Sequence, residues 1–325
     1  MDKISETRQG NKGLGMKAAR RVILGCFKTF EETALGPFRS SIRPLKETVS
    51  QYVTYVAVHK LLRAFRPKVS FAFDKGNYTV KTVENWTELE QVLRMRHEVF
   101  HKEFMGKTLA LGMDFDRFDS VGDHLVIVDR ESGKIVGTYR LICSQFSKSF
   151  YSASEFGLDQ FLQVPGVKLE MSRACIHKDF RDGVVISLLW RGLIQYVQAV
   201  KADYLFGLAS IRTMDQKDVG SIYQYLDANG FLSKEFSITA VPNYTMPGGA
   251  AIATAGSPDN GKALIPPLLN SYLRAGAKVC GLPALDESFE CVDFLTVLRM
   301  KDISKLYDRR YTAADGSRQE NPANS

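Results

Sequence analysis

Apolar residues recur at helical spacing over 46–65, where Val53, Val56, Ala57, Leu61, Ala64 and Phe65 form one stripe while His59, Arg63 and Arg66 lie off it. Pro67 is a natural stop for that helix. A further helix is predicted over 17–35, so residues 1–68 read as one basic amphipathic helical segment. From there the pattern shortens into strand-length runs. Strands are predicted over 77–83, 124–129, 135–143, 167–176 and 203–209, and helices over 86–104, 184–201 and 217–228. Gly133, in the stretch 131–134, predicts a hairpin turn between the second and third strands. One strand and a helix, then three strands, a helix, a strand and a helix imply an α/β fold with a central mixed sheet flanked by helices. That order does not fit a doubly wound repeat. This domain is placed at 69–245, with 246–311 as its C-terminal extension. The extension opens on MPGGAAIATAGSPDNGK, whose glycines, alanines and prolines predict a mobile loop. A helix starting at the Pro266-Pro267 pair and running to about 275, extended runs over 277–281 and 291–299 and a helix over 301–307 follow. Residues 312–325 read as a disordered tail.

Charge sharpens the division. Residues 1–68 hold 14 Lys and Arg against 5 Asp and Glu, whereas the other 257 residues hold 29 against 31. A nearly neutral body argues against nucleic-acid binding, which needs clustered positive charge. The basic helices leave two readings open: attachment to an anionic membrane surface, or packing on the body with the basic face in water. The 325 residues are 45% hydrophobic, enough for a substantial core. The five cysteines are scattered without CxxC spacing, so neither a metal site nor a disulfide framework is expected. No secretory leader and no run of ~20 apolar residues is seen, and a cytoplasmic protein, peripheral on a membrane at most, is expected.

The candidate chemistry lies between Arg96 and Arg173. Arg96, Asp114, Asp116, Asp119, Arg140, Glu170 and Arg173, with Phe100 among them, bring charges into or beside predicted central strands. Such charges are costly unless paired. Either they neutralise one another as an ion-pair network, or they line a pocket for a polar amino acid. Arg96-x3-Phe100, Asp116-x2-Asp119, Arg140 in GTYRLI and Glu170-x2-Arg173 together resemble the signature of acyl-homoserine lactone synthases, relatives of the GNAT N-acyltransferases. The tryptophan that those synthases carry shortly after the phenylalanine has no match, since Phe104-Met105-Gly106 stands there. LEMSRACIHKDFRDGVVISLLWRGL, LIPPLLNSYLRAGAKVCGLPALDESFECVDFLTVLRM and DISKLYDRRY more closely resemble the hemolysin-like acyltransferases, the group of the ornithine–acyl-carrier-protein N-acyltransferases of ornithine-lipid synthesis. That likeness spans about 77–311.

The resemblance implies transfer of a fatty acyl chain from the thioester of acyl carrier protein to the amine of an amino acid, with ornithine as the default acceptor. No bound cofactor is implied, because the phosphopantetheine thioester is a co-substrate. Glu170 is then the expected general base, and the backbone amides of Ser172–Ala174 are the expected oxyanion donors. Arg96, Phe100, Asp114, Asp116, Asp119, Arg140 and Arg173 are the expected substrate-binding set. Lys178, Arg181 and Gly183, in the loop before the 184–201 helix, are expected to take the pantetheine phosphate and dock the acidic carrier. That loop has one glycine where coenzyme A users of the superfamily have two, which favours carrier protein over coenzyme A. The rival readings are an acyl-homoserine lactone or other N-acyl amino acid synthase, and a non-catalytic membrane-bound module. Two other signals are set aside. His124–Asp129 and His177–Asp182 match HxxxxD of O-acyltransferases, but the first pair would face opposite sides of a strand and the second falls in a turn. Cys175, three residues beyond Ser172, would face away from it on a regular strand and reads as a buried apolar residue.

Overall fold

The computed structural model describes residues 56, 58–60, 62–236, 238–304 and 307. The predicted helix 17–35, most of 46–65 and the tail 312–325 lie outside the described residues. Residues 58–63 are helical where described, with Val58, Leu62 and Phe65 buried and Val56 and Ala64 exposed. The buried stripe is therefore rotated from the expected one. Those three side chains join Val83, Leu89, Val92 and Val126 in one apolar cluster. Just beyond, the Lys68 and Val69 amides donate to the Asp123 carboxylate at 2.9 Å each. The described residues of Val58–Ser325 thus form one compact unit.

Ten strands form one sheet among the described residues. They are β1 (Ala72–Lys75), β2 (Tyr78–Thr82), β3 (Asp123–Asp129), β4 (Ile135–Cys143), β5 (Lys168–Ile176), β6 (Tyr204–Ile211), β7 (Leu232–Ser233), β8 (Lys278–Cys280), β9 (Ala284–Asp286) and β10 (Cys291–Arg299). Their order is β1-β2-β3-β4-β5-β6-β10-β8-β7, with β9 also paired to β10. Pairing is antiparallel up to β5, parallel between β5 and β6, and antiparallel again from β6 to β10. This is the expected mixed sheet. The short strands β1, β7 and β9 carry too little alternation to be seen in the sequence.

The helices are α1 (Trp86–Arg96), α2 (Asp159–Gln163), α3 (Val184–Val200), α4 (Gln216–Ala228), α5 (Pro258–Leu264) and α6 (Pro267–Ala275). Asn85 caps α1 by accepting the amides of Thr87 and Glu88 at 3.0 and 3.1 Å. The predicted helix 86–104 is not uniform. At His97 it widens into a π-helical stretch, His97–Phe104, a geometry that is rare and common near functional sites. Helix α3 lies close on the sheet. A Cβ at Gly192 would come within 2.7 Å of the Val80 and Leu125 side chains, so only glycine permits this approach.

The glycine-rich stretch 246–262 is not the mobile loop expected. Gly249–Thr254 forms 3-10 turns and α5 follows, both packed on α4. Cβ atoms at Gly220, Gly256 and Gly261 would approach Ala255 O, Ser221 Oγ and Ser221 O to 2.0–2.2 Å. Small residues serve here for close packing of backbones, which sequence cannot distinguish from loop composition. Further on, at the predicted helix 301–307, Met300–Asp302 forms a 3-10 turn and Tyr307 is helical, while 305–306 lie outside the described residues.

Candidate active site

The sheet opens between β5 and β6. Their parallel pairing ends at Glu170 opposite Phe206. A Cβ at Gly207 would meet Met171 O at 2.2 Å, so the backbones still touch there. Beyond that point Ser172, Arg173 and Ala174 on β5 diverge from Leu208 and Ser210 on β6, and the gap is a cleft of about 380 Å³. The π-helical stretch and its end supply Phe100, Phe104 and Met105 to one wall; the β9–β10 region supplies Asp286, Phe289, Cys291 and Asp293 to another.

The divergence has a local cause. Thr138 and Arg140 of β4 pair with Cys175 and Ser172 of β5, so Tyr139 alone stands opposite Arg173 and Ala174. This is a β-bulge, and Arg173 in it has a left-handed φ of 52°. For a residue with a Cβ that conformation costs about 1–2 kcal/mol. The bulge also corrects the expected facing. Cys175 returns to the face of Ser172, and Arg173 shares the Asp116 carboxylate with Arg140. Cys175 remains inert nonetheless, since burial pushes its thiol up to about 12.

Three arginines and three aspartates hold this bulge. Arg96 donates from Nε to Asp114 at 2.8 Å and from Nη1 to Asp119 at 2.6 Å. Arg140 Nη1 donates to Asp116 at 2.6 Å and Asp119 at 3.0 Å, and its Nε donates to Ser172 Oγ at 2.9 Å. Arg173 lies 3.2 Å from both Asp114 and Asp116 and over the Tyr151 ring at 4.7 Å. Burial alone would raise the Asp119 carboxyl, but the Arg96 and Arg140 guanidinium groups beside it hold it well below the usual range. The charges balance, three against three. Arg96, Asp119 and Arg140 are wholly buried and Asp114 nearly so. These four are enclosed and pair mainly with one another, while Arg140 Nη2 and Arg173 Nε are left without a hydrogen-bond partner. Of the expected binding set, Phe100 and Arg173 line the cleft, and Asp116 is clamped between two arginines.

Glu170 is also not where a base must be. It is wholly buried, and its two oxygens accept the backbone amides of Tyr151 at 2.7 Å and Ser152 at 2.6 Å. Burial raises its carboxyl, against the pull of those amides. A base must reach the proton it removes directly or through one water. Glu170 instead fixes the Tyr151 loop against the sheet.

The loop before α3 differs too. Arg181 forks onto Glu103 at 2.5 and 2.8 Å and donates to Ile176 O at 3.0 Å, so it is not a free anion ligand. Gly183, with φ 93°, precedes α3, but the Asp182 carboxylate already takes the Val184 amide at 2.9 Å. Lys178 stays exposed. None of the three lines the cleft. His177 and Asp182 cap turns separately, and His124, wholly buried, meets Asp119 O at 3.1 Å with its imidazole pushed down to about 4 by burial.

Sequence reasoning missed a second acidic group. Glu155, Asp286 and Asp293 come from three distant segments, yet a carboxylate oxygen of each lies within 4.8 Å of the others. All three are buried. The available signal was Asp293 inside the apolar run 291–299, a charge in a strand with no visible partner.

Residues 95–191 match the family model described as an acetyltransferase (GNAT) domain. The chain is an acyltransferase, and this stretch is what is similar to a GNAT domain. Its relatives include the L-ornithine N(alpha)-acyltransferase of Rhizobium meliloti (strain 1021), 28% identical over 261 residues, covering 76% of this chain and 88% of that protein. The protein of the same name from Agrobacterium fabrum is 28% identical over 250 residues, 73% of this chain and 85% of that one. The resemblance seen in the sequence is borne out by these relatives. A solved structure of the CoA-dependent acyl-homoserine lactone synthase BjaI covers 70% of this chain and 83% of its own, at 16% identity and a TM-score of 0.40.

Proposed function

We propose that this enzyme moves a fatty acyl group from the thioester of acyl carrier protein to the α-amine of ornithine, in the synthesis of an aminolipid. The observation that carries the reading is the cleft where β5 leaves β6 at the Arg173 bulge. The backbone N–H groups of Ser172–Ala174, where β5 bulges beside the cleft, are the proposed oxyanion donors, and pre-oriented donors at such a site are usually the largest catalytic contribution. The apolar wall of Phe100, Phe104, Met105, Leu208 and Leu268 suits the start of an acyl chain.

No carboxylate base at Glu170 is needed. An α-amine titrates near ~8, so a useful fraction is neutral at mildly basic pH. The neutral nitrogen attacks the thioester carbon, the N–C bond forms and the oxyanion collapses. The C–S bond then breaks, and the departing thiolate takes the proton shed by nitrogen. Arg212, exposed on the cleft wall, offers a counter-charge for the acceptor's carboxylate. Lys178 remains a candidate for steering an acidic carrier, whereas Arg181 is spent on Glu103. Among the described residues no helix is long and apolar enough to cross a membrane. The +9 balance of residues 1–68 supports attachment to an anionic lipid surface, where an aminolipid would be delivered.

The test is direct. Purified enzyme with ornithine and acyl carrier protein or coenzyme A loaded with the same fatty acid is assayed for N-acylornithine by mass spectrometry. Amide from the carrier-bound donor is expected, faster than from the coenzyme A ester. Absence of amide from both donors overturns the activity; equal rates overturn the carrier preference.

A further inference from the structure

Glu155, Asp286 and Asp293 form a buried acidic cluster that the mechanism above does not use. Its neighbours hold it only from one side. Asp286 Oδ1 accepts the Ser288 and Phe289 amides at 2.9 and 3.2 Å and the Ser288 hydroxyl at 2.6 Å. Asp293 takes the Ser210 hydroxyl, with the Cys291 thiol 3.8 Å away. Among the described residues, no lysine, arginine or histidine forms an ion pair with any of the three. The contrast with the other acidic group is plain, because there each aspartate meets an arginine.

Two independent observations indicate that a ligand completes the cluster. Glu155 is only 1% exposed, and its Oε2 has no hydrogen-bond partner, a costly condition for a buried carboxyl. Asp286 and Asp293 also face the cleft itself, on the wall across from the bulge. The missing partner is therefore a cationic donor that arrives through the cleft. Burial and mutual repulsion raise the Glu155 and Asp293 carboxyls, as expected of an acidic group waiting for a cation.

We infer that Glu155, Asp286 and Asp293 bind the side-chain ammonium of a diamino acid acceptor and select it over acceptors with neutral side chains. This rests on the acyl-transfer reading above and deepens it. The α-amine is the wrong occupant, because carboxylates around an ammonium hold its proton, while the attacking nitrogen must lose one. The side-chain ammonium stays charged throughout and supplies the donor that Glu155 Oε2 lacks. A site built around a polar group rejects an analogue lacking it far more strongly than a site for an extra methylene does.

The experiment compares ornithine with norvaline, which has the same carbon chain and no side-chain amine, as acceptors for the full-length enzyme. Wild type is expected to favour ornithine in kcat/KM by at least ~10²-fold. Glu155→Gln and Asp293→Asn should bring the ratio towards one, and circular dichroism identifies the variants that stay folded. If one variant unfolds, the other and the wild-type ratio still decide. A wild-type ratio near one with amide formed from both acceptors overturns the inference and leaves the acyl-transfer reading standing; no amide from either overturns the reading itself. A stoichiometric metal ion in the purified enzyme that disappears in both variants would also overturn it, by assigning the carboxylates to that ion.

Discussion

At the scale of single residues, two acidic groups with the same buried surroundings have opposite fates. Asp114, Asp116 and Asp119 are matched by three arginines, so their charge is held in place at modest cost. Glu155 has Asp286 and Asp293 for company and is raised by burial first and by their charges next. Its sign can be worked through linkage. With its folded pKa above the unfolded value of 4.5, the fold binds a proton that the unfolded chain has already released. The stability present below about pH 4.5 is therefore lost as pH rises toward the raised value. Glu155→Gln removes that slope, because an amide needs no proton to be neutral and can donate to Asp293. The variant should be more stable than wild type at pH 8 by roughly 1–3 kcal/mol, the cost of leaving a buried polar group unmatched, and about equal to it at pH 4. Urea unfolding at both pH values measures this. A variant less stable than wild type at pH 8 would show that Glu155 is already compensated.

At the scale of elements, the active cleft depends on how two strands part. The bulge at Arg173 turns β5 outward, and Gly207 lets β6 stay against Met171 O until the last residue before the split. Gly207→Ala puts a methyl carbon where the Met171 carbonyl oxygen lies, and backbone cannot rotate aside as a side chain can. Overpacking of this kind costs about 1–3 kcal/mol. The split should then begin a residue or more early and misplace the oxyanion donors. The expected outcome is a lower urea midpoint together with a fall in kcat larger than any rise in KM. Wild-type kcat in a folded Gly207→Ala enzyme would show that the contact does not set the donor position.

At the scale of the whole molecule, the body and the basic segment divide at residue 57. Val58, Leu62 and Phe65 are part of the core, and Asp123 ties the chain at 68–69 to β3 while also accepting the Tyr196 hydroxyl at 2.8 Å. Deleting residues 1–57 should leave a folded, active enzyme that binds anionic vesicles more weakly than the full chain does. Deleting 1–68 should also cost stability, since three buried apolar side chains go with it. Sedimentation with vesicles of phosphatidylglycerol and phosphatidylcholine, at low and high salt, gives the comparison. Equal vesicle binding by the full chain and the 1–57 deletion would place the attachment surface on the body.

What the sequence by itself determined was the sheet and the chemistry class. Strand-length apolar runs, a hairpin glycine and helices of clear period placed β2 to β6, α1, α3 and α4 within a few residues, since those patterns are local. Arg140, Glu170 and Arg173 stood out because charges in central strands demand an explanation, and with Arg96 and Phe100 they carried the resemblance to acyltransferases. Only the tertiary structure decided what those charges do. A single bulge changes which face each residue of β5 presents, and its left-handed residue is an arginine, not the glycine that would announce it. It made partners of Arg96, Arg140, Arg173 and their aspartates, and it took Glu170 out of the cleft. It also brought together Glu155, Asp286 and Asp293, which share no motif because they lie on different segments and meet only when β9 and β10 complete the sheet. Periodicity reports the environment of one element at a time; a site made where elements separate has no period to report.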